Sequence, residues 1–294
     1  MKPRYPVFIP SKGRADKQYA AKMFDKAGVP FRVVVEPGDF DSYRWVVGED
    51  RVLVLPDSNR GLVFARNWIK EHAISEGHER HWQFDDDVMQ LMRLHASERL
   101  PLDAGVGLRM LEDFADRFTN VRLASFNSEF FVPVRGSTVH AVPPYYRNAR
   151  CYTCFLISSD DLRFRGRYNE DTDMSLQVLA GGWCTVLFNA VMIRTPATMT
   201  STGGQTDIYV GDGRLAMARE LERRWPYVVE TYRRFGRPQH KVRYWWKHFD
   251  TPLERRPDVV IPEGDPYGLQ LVAVKDEVPE RLQAVIDAQA SREQ

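Results

Sequence analysis

Three consecutive aspartates, Asp85 to Asp87, follow the aromatic run HWQF and are the first candidates for chemistry in this sequence. Carboxylates this close together repel one another unless a cation or a set of hydrogen-bond donors holds them. Carboxylate oxygens are the ligands that Mg²⁺ and Mn²⁺ prefer, and such an ion stabilises a diphosphate leaving group. The run therefore predicts a divalent-cation site, or a simpler role in which Asp86 or Asp87 caps a helix that begins at Val88.

A second acidic group, Glu170, Asp171 and Asp173, lies in the segment NEDTDMSLQVLAGG, which is expected to form a helix that begins at these residues. Acidic residues at a helix start complement the helix dipole, which accounts for one or two of the three. A carboxylate whose pKa is raised by neighbouring carboxylates is also suited to accept a proton from a hydroxyl nucleophile. Asp171 is the first choice for such a base and Glu170 the second, provided that the reaction inverts the configuration of the reacting carbon.

Short strands alternate with helices through the first half of the sequence. Strands are predicted at YPVFIP, FRVVVEP, RVLVLP and HWQFDDD, with helices ending at Gly28 and Gly77. This alternation predicts an α/β fold with a mostly parallel, Rossmann-like sheet and helices on both faces. Ligands of such sheets bind beyond the carboxyl ends of the strands, where Ser11 to Arg14, Glu36 and Asp85 to Asp87 would all lie.

Two basic sites near this predicted ligand-binding end of the sheet are suited to bind phosphates. In PSKGR, which is Pro10 to Arg14, the glycine permits close backbone approach and the two cations can meet a diphosphate. Arg66 lies one turn after Gly61 on a predicted helix whose start faces the same end of the sheet. The alternatives are an ordinary solvated turn for the first site and an ion pair on the helix surface for Arg66.

These segments together resemble the nucleotide-sugar glycosyltransferases of the GT-A fold. In that superfamily an N-x-G-x-x-x-A-R-N-like segment precedes a D-x-D motif, and an E-D pair that opens a later helix supplies the base in many inverting members. The counterparts here are NRGLVFARN, Asp85 to Asp87, and Glu170 with Asp171. The opening VFIPSKGRA together with FDDD is especially similar to the phage family of TET-associated glycosyltransferases.

The resemblance implies metal-dependent transfer of a sugar from a nucleotide-sugar donor, UDP-sugar by default, to the hydroxyl of a hydroxymethylated pyrimidine in phage DNA. It implies Mn²⁺ or Mg²⁺ as the cofactor, with Asp85 and Asp87 as metal ligands, and Asp171 or Glu170 as the catalytic base. The residues expected to bind the donor are Pro10, Ser11, Lys12, Gly13, Arg14, Glu36, Asn59, Gly61, Arg66, Asp85 and Asp86.

Composition sets the remaining limits. The 294 residues carry 41 basic and 40 acidic side chains, so the net charge alone indicates neither a nucleic-acid nor a membrane partner. The longest apolar runs are shorter than the roughly 20 residues that span a bilayer, and no membrane partner is expected. The sequence contains 3 cysteines. Cys151 and Cys154 in CYTC are expected to be buried strand thiols, with a zinc or redox site as the alternative. We expect a cytoplasmic protein, in an infected bacterial host if a phage encodes it.

The segment after residue 210 has its own character. Residues 1–210 are expected to form the GT-A-like catalytic domain, and residues 211–294 a basic, aromatic-rich, largely helical extension packed on it. Between Arg214 and His248 there are 10 lysine or arginine residues against 3 glutamates. Cations interleaved with aromatic rings suit phosphates and exposed bases, although the rings can instead pack the extension onto the catalytic domain. The residues expected to contact DNA are Arg234, Arg237, Lys241, Arg243, Trp245 and Trp246.

Three functions remain open at this point. The first is a metal-dependent glycosyltransferase acting on modified bases of double-stranded DNA, and the second is the same enzyme with a protein or glycan acceptor. The third is a non-catalytic nucleic-acid-binding protein built on the same scaffold, since a fold does not fix a function. His240 and His248 are candidates for a further metal ligand by their order in the chain, and surface histidines are the alternative.

Overall fold

The computed structural model describes residues 1–95, 98–132, 143–196, 213–243 and 249–260. The strands are β1 (Val7–Pro10), β2 (Arg32–Val35), β3 (Val52–Val54), β4 (Arg80–Phe84), β5 (Gln90–His95), β6 (Glu98–Leu102), β7 (Val121–Ser128), β8 (Tyr145–Arg147), β9 (Cys154–Ser158), β10 (Cys184–Arg194), β11 (Val229–Arg234) and β12 (Arg237–Val242). The α-helices are α1 (Tyr19–Lys26), α2 (Phe40–Val47), α3 (Leu62–Ser75), α4 (Ala104–Ala115), α5 (Glu170–Ala180) and α6 (Gly213–Arg224).

Ten strands form one sheet in the order β3-β2-β1-β4-β9-β7-β10-β5-β6, with β8 paired to β10. The first four strands pair in parallel, as the alternation of strands and helices predicts, and β7 also pairs in parallel with β10. Strand β9 runs antiparallel between β4 and β7. The α/β class with a GT-A-like sheet is confirmed.

Strand β9 brings the chain that precedes it beside the acidic run at the end of β4. Because β9 is antiparallel to β4, the residues that precede β9 lie beside the residues that follow β4. The backbone N–H of Asp85 donates to the carbonyl of Thr153 at 2.9 Å. The acidic run and the chain that leads into β9 therefore lie side by side at the same end of the strands.

Helices cover both faces of the sheet. On one face α3 packs through Ala65 and Ile69 against Phe8 and Val34. On the other face α1 and α4 join the main core, which includes the fully buried Trp82. A smaller cluster holds α5 against β9 through Met174 and Phe155. Helix α2 is an addition to the sequence prediction, which has no helix between β2 and β3.

The described part of the extension is a helix followed by a β-hairpin. Helix α6 agrees with the predicted largely helical extension, but the strands β11 and β12 that follow it do not. The two-residue turn Phe235-Gly236 explains the difference, because both residues have positive φ, 52° and 71°. Tight hairpin turns of this kind need such angles, and a helix excludes them. Leu221 and Val229 pack against Leu176 and Leu179 of α5.

All three cysteines are buried free thiols, as predicted for the CYTC pair. Burial raises the pKa of Cys154 to about 12 and raises that of Cys151 well above its ordinary value. Among the helices of the described residues, each is too short or too polar to cross a bilayer.

Candidate active site

A cavity of about 630 Å³ opens where β4, β9 and α5 meet, and both acidic segments reach it. Asp85 comes from the end of β4, and Glu170 and Asp171 come from the first turn of α5. The cavity is lined by Arg66, Asp85, Ser128, Phe130, Phe131, Arg150, Tyr152, Thr153, Glu170, Asp171, Ile193 and Thr195.

The acidic run turns from one strand into another. Residues from Gln90 onward form β5, so a helix that begins at Val88 is wrong, and helix capping does not explain Asp86 or Asp87. The reason is tertiary pairing, because the strand formed by QLMRLH lies between β10 and β6 and pairs antiparallel with both. The aspartates therefore have another role at this position.

Asp86 is the centre of a buried network at the end of β1. Its carboxylate accepts hydrogen bonds from Ser11 Oγ at 2.5 Å and Arg14 Nη1 at 2.9 Å. Ser11 also contacts the Tyr43 hydroxyl at 2.7 Å, and Gln18 Nε2 donates to Ser11 Oγ at 2.9 Å. The Ser11 and Arg14 part of PSKGR is thus no ordinary solvated turn. Tyr43 and Gln18 are absent from the sequence prediction, since neither belongs to a motif.

The exposed part of the same region joins three loops. Lys12 Nζ donates to Glu36 Oε1 at 2.9 Å and to Asn59 Oδ1 at 2.7 Å. The backbone N–H of Asn59 donates to the same Glu36 oxygen at 2.9 Å. Gly61 has a φ of 84° and immediately precedes α3, and Gly13 donates its N–H to Asp39 Oδ2. These residues, with the buried Pro10, lie together beyond the strand ends as expected, beside the cavity rather than in its lining.

Asp87 is partly buried close to the two other carboxylates of the run. Burial, followed by the charges of Asp85 and Asp86, raises the pKa of Asp87 to about 7. Burial also raises the pKa of Asp85, and Arg66 opposes that rise. A divalent cation would relieve both perturbations, so the oxygen donors present fit Mg²⁺ or Mn²⁺.

The same carboxylates do not form a complete metal cage. In the described part of the chain, no group of three or more His, Cys, Asp or Glu side chains is placed to hold a metal ion. Mg²⁺ is commonly bound through one or two carboxylates together with substrate phosphates, and Asp85 with Asp87 matches that pattern.

Arg66 is buried, and a surface ion pair on α3 is the wrong description of it. Its side chain is 2% exposed, Nη2 donates to Asp85 Oδ1 at 2.7 Å, and Nε lies 3.6 Å from Glu170 Oε1. Its guanidinium also lies 4.8 Å from the ring centre of Phe155. Arg66 therefore links the two acidic segments from beneath the cavity.

Glu170 and Asp171 have different surroundings. Burial, and secondarily the charge of Asp171, raises the pKa of Glu170 to about 7, while Arg66 lowers it. Asp171 Oδ1 accepts from the Thr172 backbone at 2.6 Å, and Oδ2 lies 3.9 Å from Arg150 Nε. Asn169, which precedes this pair, has a φ of 53° and donates from Nδ2 to the carbonyl of Met217 in α6 at 2.9 Å.

Asp173 is fully buried and has a structural role. It accepts from Arg165 through both of its oxygens, at 2.9 Å each, and from Trp225 Nε1 at 2.8 Å. Gln177 Nε2 adds a fourth hydrogen bond at 2.8 Å. Of the three acids at the start of α5, Asp173 is the one that does not line the cavity, and its hydrogen bond from Trp225 ties the segment after α6 to α5.

The predicted DNA-binding cations lie on the hairpin. Arg234, Arg237, Lys241 and Arg243 are all exposed, and none of them lines the cavity. Trp245, Trp246 and His248 lie outside the described residues. The pKa of His240 is lowered by burial and then by the nearby charge of Arg150.

Two exposed aromatic residues of the cavity are missing from the sequence prediction. Phe130 and Phe131 follow β7 at its rim, and Phe131 packs edge-to-face on Tyr152 with ring centres 6.2 Å apart. The guanidinium of Arg150 lies 4.9 Å from the Tyr152 ring centre. The adjacent phenylalanines in SEFFVP were the available signal, but they belong to no motif that the sequence analysis recognises.

The fold and the site together define a class. An α/β domain of this topology, with an acidic run after β4 and an acidic pair that opens α5 on one cavity, is a glycosyltransferase of the GT-A type. The family model described as TET-Associated Glycosyltransferase matches residues 5–204, and the chain belongs to this family. No curated protein matches the chain.

Solved structures show more distant likenesses. A nucleotide-diphospho-sugar transferase from Desulfovibrio desulfuricans G20 matches with 8% identity and a TM-score of 0.38, over 63% of this chain and 80% of that one. The apo form of the glycosyltransferase GlyE from Streptococcus pneumoniae TIGR4 matches with 11% identity and a TM-score of 0.32, over 62% of this chain and 45% of that one. A second GlyE structure matches with 15% identity and a TM-score of 0.27, over 53% and 34%. The chain spans less than half of GlyE, and likenesses at this level carry no argument about donor or acceptor.

Proposed function

We propose that the protein transfers a sugar from a nucleotide-diphosphate sugar, by default a UDP-sugar, to the hydroxyl of a hydroxymethylated pyrimidine in double-stranded DNA. The observation that carries this proposal is the convergence of Asp85, Glu170 and Asp171 on one cavity, linked by Arg66. Membership in the TET-associated family supports the acceptor, and so does the cluster of exposed cations on the hairpin. The free thiols suit a reducing compartment, in this proposal the cytoplasm of an infected bacterium.

The donor is assigned to the polar region at the strand ends. Lys12 and Arg14 would face the diphosphate, and Glu36 with Asn59 would face the nucleoside; Ser11 and Asp86 hold this region in place. Gly13 and Gly61 have no side chain, so the donor could approach the backbone closely at these positions. Asp85 and Asp87 would hold Mn²⁺ or Mg²⁺, which when bound supplies positive charge to the departing diphosphate.

The transfer itself needs a base and room for an acceptor. The acceptor oxygen forms a bond to the anomeric carbon while the bond from that carbon to the diphosphate oxygen breaks, and the hydroxyl proton passes to Asp171. The bonding electrons leave with the diphosphate, so charge balances. Arg150 Nε lies 3.9 Å from Asp171 Oδ2 and would help to orient this carboxylate, and Glu170 is the second candidate for the base.

The test is transfer of labelled sugar from a panel of nucleotide sugars, with Mn²⁺ or Mg²⁺, to duplex DNA with and without 5-hydroxymethylpyrimidines. We expect label on the hydroxymethylated duplex alone, abolished by EDTA and by the double variant Asp85→Asn/Asp87→Asn. The double variant Asp57→Asn/Asp50→Asn, on the surface, is the matched control. Release of free labelled sugar with no label on the hydroxymethylated duplex would refute the DNA acceptor, and transfer that is insensitive to EDTA would refute the metal.

A further inference from the structure

The hairpin tip presents a large apolar ring to solvent. Phe235 is 85% exposed, and with Gly236 it forms a two-residue turn in which both φ angles are positive. Asn, Asp and Gly are the usual residues at the first position of such a turn, and a phenylalanine there is unfavourable for both the backbone and the ring. Folding of the hairpin therefore does not explain Phe235.

Positive charge surrounds this ring. Arg233, Arg234 and Arg237 are exposed, and the Arg234 guanidinium lies 5.0 Å from the Phe235 ring centre. In the described residues, the hairpin's acidic side chain is Glu230, which pairs with Lys241 and Arg243 at the other end of the hairpin. The tip is thus an aromatic ring within a group of cations.

The base of the hairpin is fixed to the catalytic domain. Val229 packs in one cluster with Leu176 and Leu179, which belong to the same helix as the candidate base. Trp225, four residues before β11, donates to the buried Asp173. Arg237 at the tip is about 10 Å along β12 from His240, whose pKa responds to the charges of Arg150 and Asp171 at the cavity. The tip therefore keeps a defined position relative to the cavity.

We propose that this hairpin is the DNA-docking element of the protein, and that Phe235 inserts between two base pairs to release a neighbouring base toward the cavity. The inference rests on the proposed function, in that the DNA is the acceptor. Arginines around an exposed ring suit a duplex, because the cations meet phosphates while apolar wedges unstack base steps. A base inside a duplex must leave the stack before an enclosed catalytic centre can reach it.

The aromatic ring of Phe235 can be removed by a substitution that retains the hairpin turn. Phe235→Asn creates Asn-Gly, the preferred sequence for this turn, so the hairpin is expected to be retained. Phe235→Leu keeps an apolar wedge and serves as the rescue variant. Trp45→Ala is the matched control, because Trp45 is 81% exposed beside Arg44 but lies on α2.

The measurement is binding of the full chain to an unmodified duplex that contains 2-aminopurine, a base analogue whose fluorescence rises on unstacking. Wild type, Phe235→Leu and Trp45→Ala should raise the fluorescence, and Phe235→Asn should not. Phe235→Asn should also weaken binding, by about tenfold if one stacking contact is lost. Equal fluorescence with wild type and Phe235→Asn overturns the wedge.

Docking of DNA through the arginines of the hairpin tip is tested separately, by the salt dependence of binding. Arg234→Ala/Arg237→Ala should lower the slope of log affinity against log salt concentration by about 2, as expected for two phosphate contacts. An unchanged slope overturns docking through the tip. No sugar donor is present in these assays, so their failure is separate from failure of the proposed transfer. Wedge-dependent binding without glycosylation of hydroxymethylated DNA would uphold the hairpin and refute the acceptor.

Discussion

Removal of Arg66 should destabilise the protein strongly, and more so at high pH. The guanidinium lies 3.6 Å from the Glu170 carboxylate, which corresponds to roughly 5 kcal/mol of attraction at an effective dielectric constant of 20. The desolvation of both ions offsets much of this attraction, but removal of one partner leaves the other charge buried and uncompensated. Such losses are about 3 to 5 kcal/mol. We expect about 3 kcal/mol for Arg66→Met at pH 8, because Asp85 is partly exposed to the cavity.

The pH dependence follows from the raised pKa of Glu170. In wild type this pKa is about 7, above its ordinary value of 4.5, so folding takes up a proton and stability falls as the pH rises between those values. Arg66 lowers this pKa, so its removal extends the fall above pH 7. The stability difference between wild type and Arg66→Met should therefore be smaller at pH 5.5 than at pH 8.

Urea unfolding at both pH values, with EDTA present, measures this difference. Arg60→Met removes an exposed ion pair with Asp57 and should leave the free energy of unfolding nearly unchanged. In a Glu170→Gln background the effect of Arg66→Met should become smaller and less dependent on pH. A loss that is equal at both pH values, or absent, would refute the coupling of the two acidic segments through Arg66.

Three further predictions concern other parts of the molecule. All three cysteines should resist a thiol reagent in the native protein at pH 8 and react after unfolding, and rapid native labelling of Cys151 or Cys154 would contradict their burial. Asp173→Asn should lower the free energy of unfolding by about 2 kcal/mol through its bonds to Arg165 and Trp225, and unchanged urea unfolding would contradict that anchoring role. Mn²⁺ should raise the Tm of wild type but not of Asp85→Asn/Asp87→Asn, and the same rise in both would remove the metal from these aspartates.

The strands and helices of the catalytic domain were largely predictable because their patterns are strong and local. VFIP and RVVV are short β-branched runs between turn signals, and both are strands. The segment after Asp87 was ambiguous, since VMQLMRL suits a capped helix or a strand and only its pairing with β10 and β6 decides. The hairpin after α6 was missed because its turn carries phenylalanine rather than asparagine before glycine.

The site was predictable to the level of motifs but not of contacts. Sequence placed Asp85, Glu170 and Asp171 in motifs, and the structure brings all three to one cavity. It could not show that Arg66 joins the motifs, because Arg66 and Glu170 are far apart in the chain and meet only through packing. Tyr43 and Arg150 belong to no motif and are recognisable only from the positions of their polar atoms.

The central claim is that the cavity carries out sugar transfer with Asp171 as its base. The most direct test is the steady-state rate of labelled sugar transfer by Asp171→Asn, with the exposed Asp161→Asn as the matched control. We predict a loss of about 100-fold or more in kcat for Asp171→Asn, with an unchanged Tm and retained donor binding, and no loss for Asp161→Asn. A full transfer rate in Asp171→Asn would contradict the account.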